Sequence, residues 1–157
     1  MELNLKNKII IVTGGSKGIG GGITRLLAKE GAIPIIIGRD ELSIKSIVNE
    51  LENKKQNVDY VYAELTNSDQ CKKAIAFIYK KYNQIDGLVN NAGVNDGVSL
   101  KNGSAKQFID SINKNVTHYF LMAQYSISAL KKSKGSIVNI GSKVSFTGQG
   151  GTSGYAA

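Results

Sequence analysis

The chain has 157 residues, 41% of them hydrophobic and 20% charged, with 20 Lys and Arg against 12 Asp and Glu for a formal net charge of +8. That length suits one domain or a piece of one, and the composition excludes wholesale disorder. The longest aliphatic runs, Ile9–Val12 and Ile35–Ile37, fall far short of the roughly 20 residues of a membrane span, and Glu2, Lys6 and Lys8 before any apolar stretch argue against a secretory leader.

Lys8–Thr13 is a continuous apolar run and predicts a strand buried on both faces. Gly14–Gly22 is rich in glycine, and Ile19, Ile23, Leu26 and Leu27 then fall on one helical stripe that Gly31 stops. Ile33–Ile37 predicts a second strand, with Pro34 tolerable at its beginning. A helix over Asp40–Glu52, capped by Asp40, leads to a third strand at Val58–Ala63. The next helix, Asn67–Tyr82, turns Cys71, Ala74, Ile75 and Ile78 inward, and Ile85–Asn90 is a fourth strand. Val116, Phe120, Ala123, Ile127 and Leu130 form one stripe, so Asn113–Lys132 reads as a long helix before a fifth strand at Gly135–Gly141. Strand and helix alternate without repeats or a linker. That order predicts an α/β fold, a doubly wound parallel sheet with right-handed crossovers and helices on both faces. Ligands on such sheets bind at the carboxyl ends of the strands, where the winding reverses.

All basic residues except Arg25 and Arg39 are lysines, scattered in pairs such as Lys54-Lys55 and Lys131-Lys132. With aromatics at only 7%, the pattern reads as solvated surface rather than a nucleic-acid face, although it leaves a modest pull toward anionic ligands. The lone Cys71 excludes an internal disulfide and a cysteine-based zinc site, and no His, Cys or carboxylate cluster supports a metal. His118 reads as helix surface or interface, and Cys71 as a small core residue. The expectation is a cytoplasmic protein of a reducing compartment, without nucleic-acid or membrane partners.

Thr13-Gly14-Gly15-Ser16-Lys17-Gly18-Ile19-Gly20 follows a strand and opens a helix. Its spacing is neither Gly-x-Gly-x-x-Gly nor a Walker A loop. Glycines still let the backbone approach phosphates, and a helix amino terminus offers free N–H groups with a positive dipole. A plain tight turn is the other reading. Against it, Gly20, Gly21 and Gly22 in a first helical turn each cost about 1 kcal/mol relative to Ala. The turn therefore points to a dinucleotide.

That turn, Asn90-Asn91-Ala92-Gly93, Asn115, Ser142 and Tyr155, in this order and spacing, resemble the short-chain dehydrogenase/reductase family. The resemblance implies a Rossmann-type sheet with Gly14, Ser16, Lys17, Gly18, Ile19, Gly20, Asn91, Ala92 and Gly93 at the coenzyme. It implies that Tyr155 transfers a proton, Ser142 holds the substrate oxygen, and Asn115 bends its helix and seats a water relay. In the family a lysine one helical turn past the tyrosine lowers the phenol pKa. The chain ends at Tyr155-Ala156-Ala157, before that lysine. Residues 1–157 are thus expected to be the amino-terminal part of a single NAD(P)-binding domain, cut after its fifth strand and inactive alone. The resemblance also implies a homodimer or homotetramer, with the helix bearing Tyr119, Phe120 and Tyr125 at the interface.

A carboxylate after the second strand favours NAD, and a basic group there favours the 2′-phosphate of NADP. Gly38 offers no carboxylate, Arg39 can present a fork, and Lys17 adds a second cation. NADP is accordingly favoured over NAD. The alternative leaves Arg39 solvated and Asp40 a helix cap, and Glu64 stands where the family usually has Asp near the adenine. For the substrate, Asn95, Asp96, Gln149 and Ser153 suggest a polar lining suited to many hydroxyls, although Asp96-Gly97 and Gly150-Gly151 read equally well as turn and flexible loop. The segments Asn90–Gly97 and Thr147–Tyr155 resemble the L-fucose dehydrogenase branch. That implies oxidation of the anomeric hydroxyl of L-fucose or a related aldose. A 3-oxoacyl-carrier reductase, whose acidic carrier would suit the basic surface, and a non-catalytic nucleotide-binding module are the alternatives.

Overall fold

A computed structural model describes residues 3–157; Glu2, cited above against a leader, lies outside them. Five parallel strands, β1 (Ile9–Thr13), β2 (Ile33–Gly38), β3 (Asp59–Tyr62), β4 (Gly87–Asn90) and β5 (Ser136–Asn139), form one sheet in the order β3-β2-β1-β4-β5. The doubly wound sheet is as expected, and the winding reverses between β1 and β4. Side chains alternate across each strand. On one face Ile9, Ile11, Ile35, Ile37 and Leu88 meet α3 (Ser68–Tyr82) and α5 (His118–Ser133). On the other, Ile10, Val12, Ile36 and Val89 meet α1 (Gly18–Lys29) and α2 (Glu41–Asn53). Two buried faces explain the unbroken isoleucine runs, each side chain contributing about 1.5–3 kcal/mol by burial.

The predicted elements hold with small boundary shifts, and three differences have physical causes. In α1 the small residues Gly20, Gly21, Thr24 and Ala28 are buried, whereas Ile19 and Leu26 are 68% and 57% exposed. The helix comes so close to its own turn that only small side chains fit between them. In α5 the buried line is His118, Met122, Ser126 and Leu130. Of the predicted stripe only Leu130 is fully buried, while Val116, Phe120 and Ile127 are exposed. Val116 falls in the five-residue π-helical turn Asn113–Thr117, and Phe120 and Ile127 stand on a face of α5 that lies beside its buried line and is exposed on this chain. Finally, α4 (Ala105–Ile112) was not anticipated. It begins with a capping box between Ser104 and Gln107, a signal present in the sequence.

Pro34 is accommodated because β2 pairs with β3 only from Ile35 onward. Asp86, just before β4, accepts the Ile9 N–H at 2.8 Å and faces Lys8 Nζ at 3.1 Å, so it ties β4 to β1. Every residue of β5 is exposed on this chain. Two short helices follow it, α6 (Val144–Thr147) and α7 (Ser153–Ala156). No helix among the described residues is long and apolar enough to cross a membrane.

Candidate functional site

The site begins at the carboxyl end of β1. The fully buried Thr13 hydroxyl donates to Val89 O at 3.4 Å and accepts the N–H groups of Asn91 and Ala92 at 2.9 and 3.1 Å. The Asn91 side chain donates in return to Thr13 O and Gly14 O, at 3.0 and 3.3 Å. The two central strands thus end in one hydrogen-bonded knot, and Asn91, expected at the coenzyme, spends its amide on the turn itself. Thr13, which heads the glycine motif in the sequence, supplies the hydroxyl at the centre of this knot.

The turn is shaped for close approach. Gly14 has φ +63° and donates to Ile37 O at 2.8 Å, while the Thr24 hydroxyl donates to Gly15 O at 2.8 Å. A Cβ at Gly20 would collide with Gly14 O and the Asn91 amide nitrogen. At Gly18 a Cβ would meet nothing within 4 Å, but φ is +56°, so glycine is wanted there for its backbone. No side chain caps α1 at Lys17, which leaves its first-turn N–H groups and dipole available to an anion. Ser16 is half-buried at the turn, and Lys17, Gly18 and Ile19 are exposed at its mouth. These features fit a dinucleotide pyrophosphate.

Lys17 and Arg39 both reach the adjoining edge formed by the ends of β2 and β3. Lys17 Nζ lies 2.9 Å from Asp40 Oδ2, and Arg39 Nη1 lies 2.5 Å from Glu64 Oε2. Hydrogen bonds from Lys17 and then Ser43 hold the Asp40 carboxyl down at about 2. Burial works against the Glu64 charge, but bonds from Thr66 and Arg39 outweigh it and keep that pKa below the usual range. Asp40 is therefore both a helix cap, accepting from Ser43 N–H at 3.1 Å, and a partner of the glycine turn.

Beyond Ala92 and the exposed Gly93, Asn115 grips the chain. Its Oδ1 accepts the Val94 N–H at 2.7 Å, and its Nδ2 donates to Val94 O at 3.0 Å and Ser111 O at 2.9 Å. Asn115 lies in the π-helical turn Asn113–Thr117. His118, one turn on, is buried rather than at the surface. Its Nε2 contacts Lys114 O at 3.1 Å, and Nδ1 has no partner. Burial lowers its pKa, against a contrary pull from the backbone at Lys114 and Ala92.

Ser142 follows β5 and is half-buried, its Oγ accepting the Val144 N–H at 3.3 Å. Tyr155 stands half-buried on α7. Gly154 seats that helix: its N–H donates to Val98 O at 3.1 Å, and a Cβ would press on Ser111 of α4 at 2.9 Å. Tyr119 donates to Ile140 O at 3.1 Å, and its pKa is pushed up mainly by burial.

The residues expected at the substrate divide. Asn95 is exposed and accepts the Gly97 N–H at 3.3 Å. Asp96 has both oxygens engaged, by the Ser111 hydroxyl at 2.9 Å and Lys114 Nζ at 3.2 Å. Gln149 is exposed, Ser153 is half-buried at the start of α7, and the Thr152 hydroxyl donates to Gln149 O at 3.0 Å. Phe146, which lies between Ser142 and Tyr155 in the sequence, is 93% exposed on α6. A shallow cavity of about 260 Å³ lined by Lys8, Tyr79, Asp86 and Lys132 opens at the opposite ends of the strands, away from these groups. No group of three or more His, Cys, Asp or Glu able to hold a metal occurs among the described residues.

Comparison with known proteins agrees with this geometry. The family model for short chain dehydrogenase matches residues 8–157. The 3-oxoacyl-[acyl-carrier-protein] reductase of Thermotoga maritima is 34% identical over 99% of this chain. L-fucose dehydrogenase of Bos taurus is 28% identical over 100% of it. Among solved structures, Cj0485 dehydrogenase is 40% identical over 99% of the chain with a TM-score of 0.90. An actinorhodin polyketide ketoreductase variant solved with NADPH is 27% identical over 96%, with a TM-score of 0.89. The chain spans 63% of the Thermotoga protein, 57% of the Bos taurus protein and 59% of each of the two structures.

Proposed function

The chain belongs to the short chain dehydrogenase family, and on that premise we propose that it is part of a pyridine-nucleotide-linked oxidoreductase interconverting a hydroxyl and a carbonyl group, with NADP favoured over NAD. The observation that supports this most is the Thr13–Gly20 turn, pinned to Asn91 and open at an uncapped helix end. Gly14, Ser16, Gly18, Ile19 and Gly20 would hold the pyrophosphate, Lys17 and Arg39 the adenosine end, and Ala92 and Gly93 the stretch between. When bound, the nicotinamide supplies the hydride acceptor or donor. The chain's own groups orient and protonate: Ser142 Oγ holds the substrate oxygen, Tyr155 moves its proton, and Asn115 fixes the bend beneath them. In the full-length protein, Tyr155→Phe and Ser142→Ala should each lower kcat by about 10²- to 10⁴-fold while coenzyme affinity in calorimetry stays near its parental value. A Tyr155→Phe variant with undiminished turnover overturns the assignment.

Two substrate readings have separate support. Reduction of a 3-oxoacyl thioester is favoured by the identity to several 3-oxoacyl-carrier reductases. Oxidation of L-fucose or a related aldose is favoured by the polar side chains of Asn95, Gln149 and Ser153 and by the similarity to L-fucose dehydrogenase. Parallel assays with acetoacetyl thioester and with L-fucose decide between them. The homodimer or homotetramer belongs to the same proposal, supported by the exposed apolar side chains of Val116, Phe120 and Ile127.

A further inference from the structure

The coenzyme edge has a feature that the choice of NADP does not require. Its two cations are already paired, and each partner carboxylate is held in the same divided way. Asp40 Oδ1 accepts the Ser43 N–H at 3.1 Å, while Oδ2 takes the Ser43 hydroxyl at 2.8 Å and Lys17 Nζ at 2.9 Å. Glu64 Oε1 accepts the Thr66 N–H at 3.1 Å and the Thr66 hydroxyl at 2.9 Å, while Oε2 takes Arg39 Nη1 at 2.5 Å. Each acid is fastened to its own element by at least one oxygen, and one oxygen of each faces a cation from a neighbouring element. The cations are the looser partners: Lys17 and Arg39 side chains are 73% and 79% exposed, against 40% and 32% for Asp40 and Glu64.

We propose that Asp40 and Glu64 are specificity-determining residues, fixed counter-ions from which an adenosine 2′-phosphate must draw Lys17 and Arg39 away. This rests on the coenzyme reading above. A ribose without that phosphate leaves both pairs intact, so the two acids narrow the advantage that the two cations alone would give the phosphorylated ligand. Exposed ion pairs are weak, so the acids tune the preference without abolishing it. Both stay ionised at neutral pH, so the restraint is permanent.

Glu64→Gln retains the acceptor for Thr66 and removes only the charge facing Arg39. Asp40→Asn retains the helix cap, because Asn caps as well as Asp, and frees Lys17. The protein and each variant are titrated calorimetrically with adenosine 2′,5′-bisphosphate and with adenosine 5′-monophosphate, with thermal melts to verify folding. Each variant should bind the bisphosphate about two- to fivefold more tightly, with the monophosphate changed by a clearly smaller factor, and added salt should shrink the difference. In an Arg39→Ala background, Glu64→Gln should alter neither affinity. Equal changes for both ligands, no change for either, or a Glu64→Gln effect that survives without Arg39 overturns the inference and leaves the coenzyme reading standing. If the parent protein binds neither ligand, the coenzyme reading fails and this inference falls with it.

Discussion

Gly18 and Gly20 stand two residues apart, and each has its own reason to be glycine. Gly18 has open space around it and a left-handed φ of +56°; adding a methyl group there strains only the backbone, at a cost of about 1–2 kcal/mol. Gly20 has no such dihedral, yet its Cβ would strike Gly14 O and Asn91, neither of which can retreat without loosening the knot around Thr13. Overpacking there should cost about 1–3 kcal/mol. In urea melts both Ala variants should be less stable. Only Gly20→Ala should also widen the turn enough to raise the dissociation constant for NADPH by an order of magnitude or more beyond what Gly18→Ala does. Equal losses of affinity would show that the clash at Gly20 does not reach the coenzyme site. The sequence advertises both residues by type and position. It conceals the difference between them, which depends on what the folded chain places opposite each.

At the level of elements, legibility followed the number of buried faces. β1 and β2 sit between two helix layers, and their isoleucine runs announce it; α3 likewise buries the predicted Cys71, Ala74, Ile75 and Ile78. Asp40 and Asn67 cap their helices as their residue types suggest. An apolar stripe misleads where a helix also carries apolar side chains on an exposed face. Within α5, Phe120 and Ile127 are exposed while His118 and Met122 turn inward. Among the candidate site residues, the glycine turn is legible because local geometry fixes it, whereas Asn115 stands out only through the family resemblance. The pairing of Asp96 with Ser111 and Lys114 joins a loop to a helix that periodicity did not show. That helix, α4, bears on the chemistry, since Ser111 is the seat of Gly154 next to Tyr155. Ser104→Ala removes its cap and should cost about 1 kcal/mol. Because α4 supports the tyrosine's helix, trypsin should cleave the Ser99–Lys114 region faster in this variant, with β1–β3 remaining equally protected. Unchanged proteolysis would mean that α4 is held by its packing and not by its cap.

For the molecule as a whole, the single histidine makes acid stability unusually simple to interpret. Burial lowers the folded pKa of His118 below its ordinary 6.5, so the unfolded chain binds that proton more readily than the folded one. Stability is then full above about 6.5 and declines as pH falls below it, toward the lower folded value. Carboxylates such as Asp40 and Glu50, each held at about 2, release their contribution only in far stronger acid. Denaturation between pH 5 and 7 should therefore show a slope that His118→Gln removes, whatever that variant does to the absolute stability; a slope that persists would assign it elsewhere. At the β3 rim of the sheet, Asp59 is engaged by Lys81 and Tyr82, and such charged trim discourages strands of other molecules from adding on there.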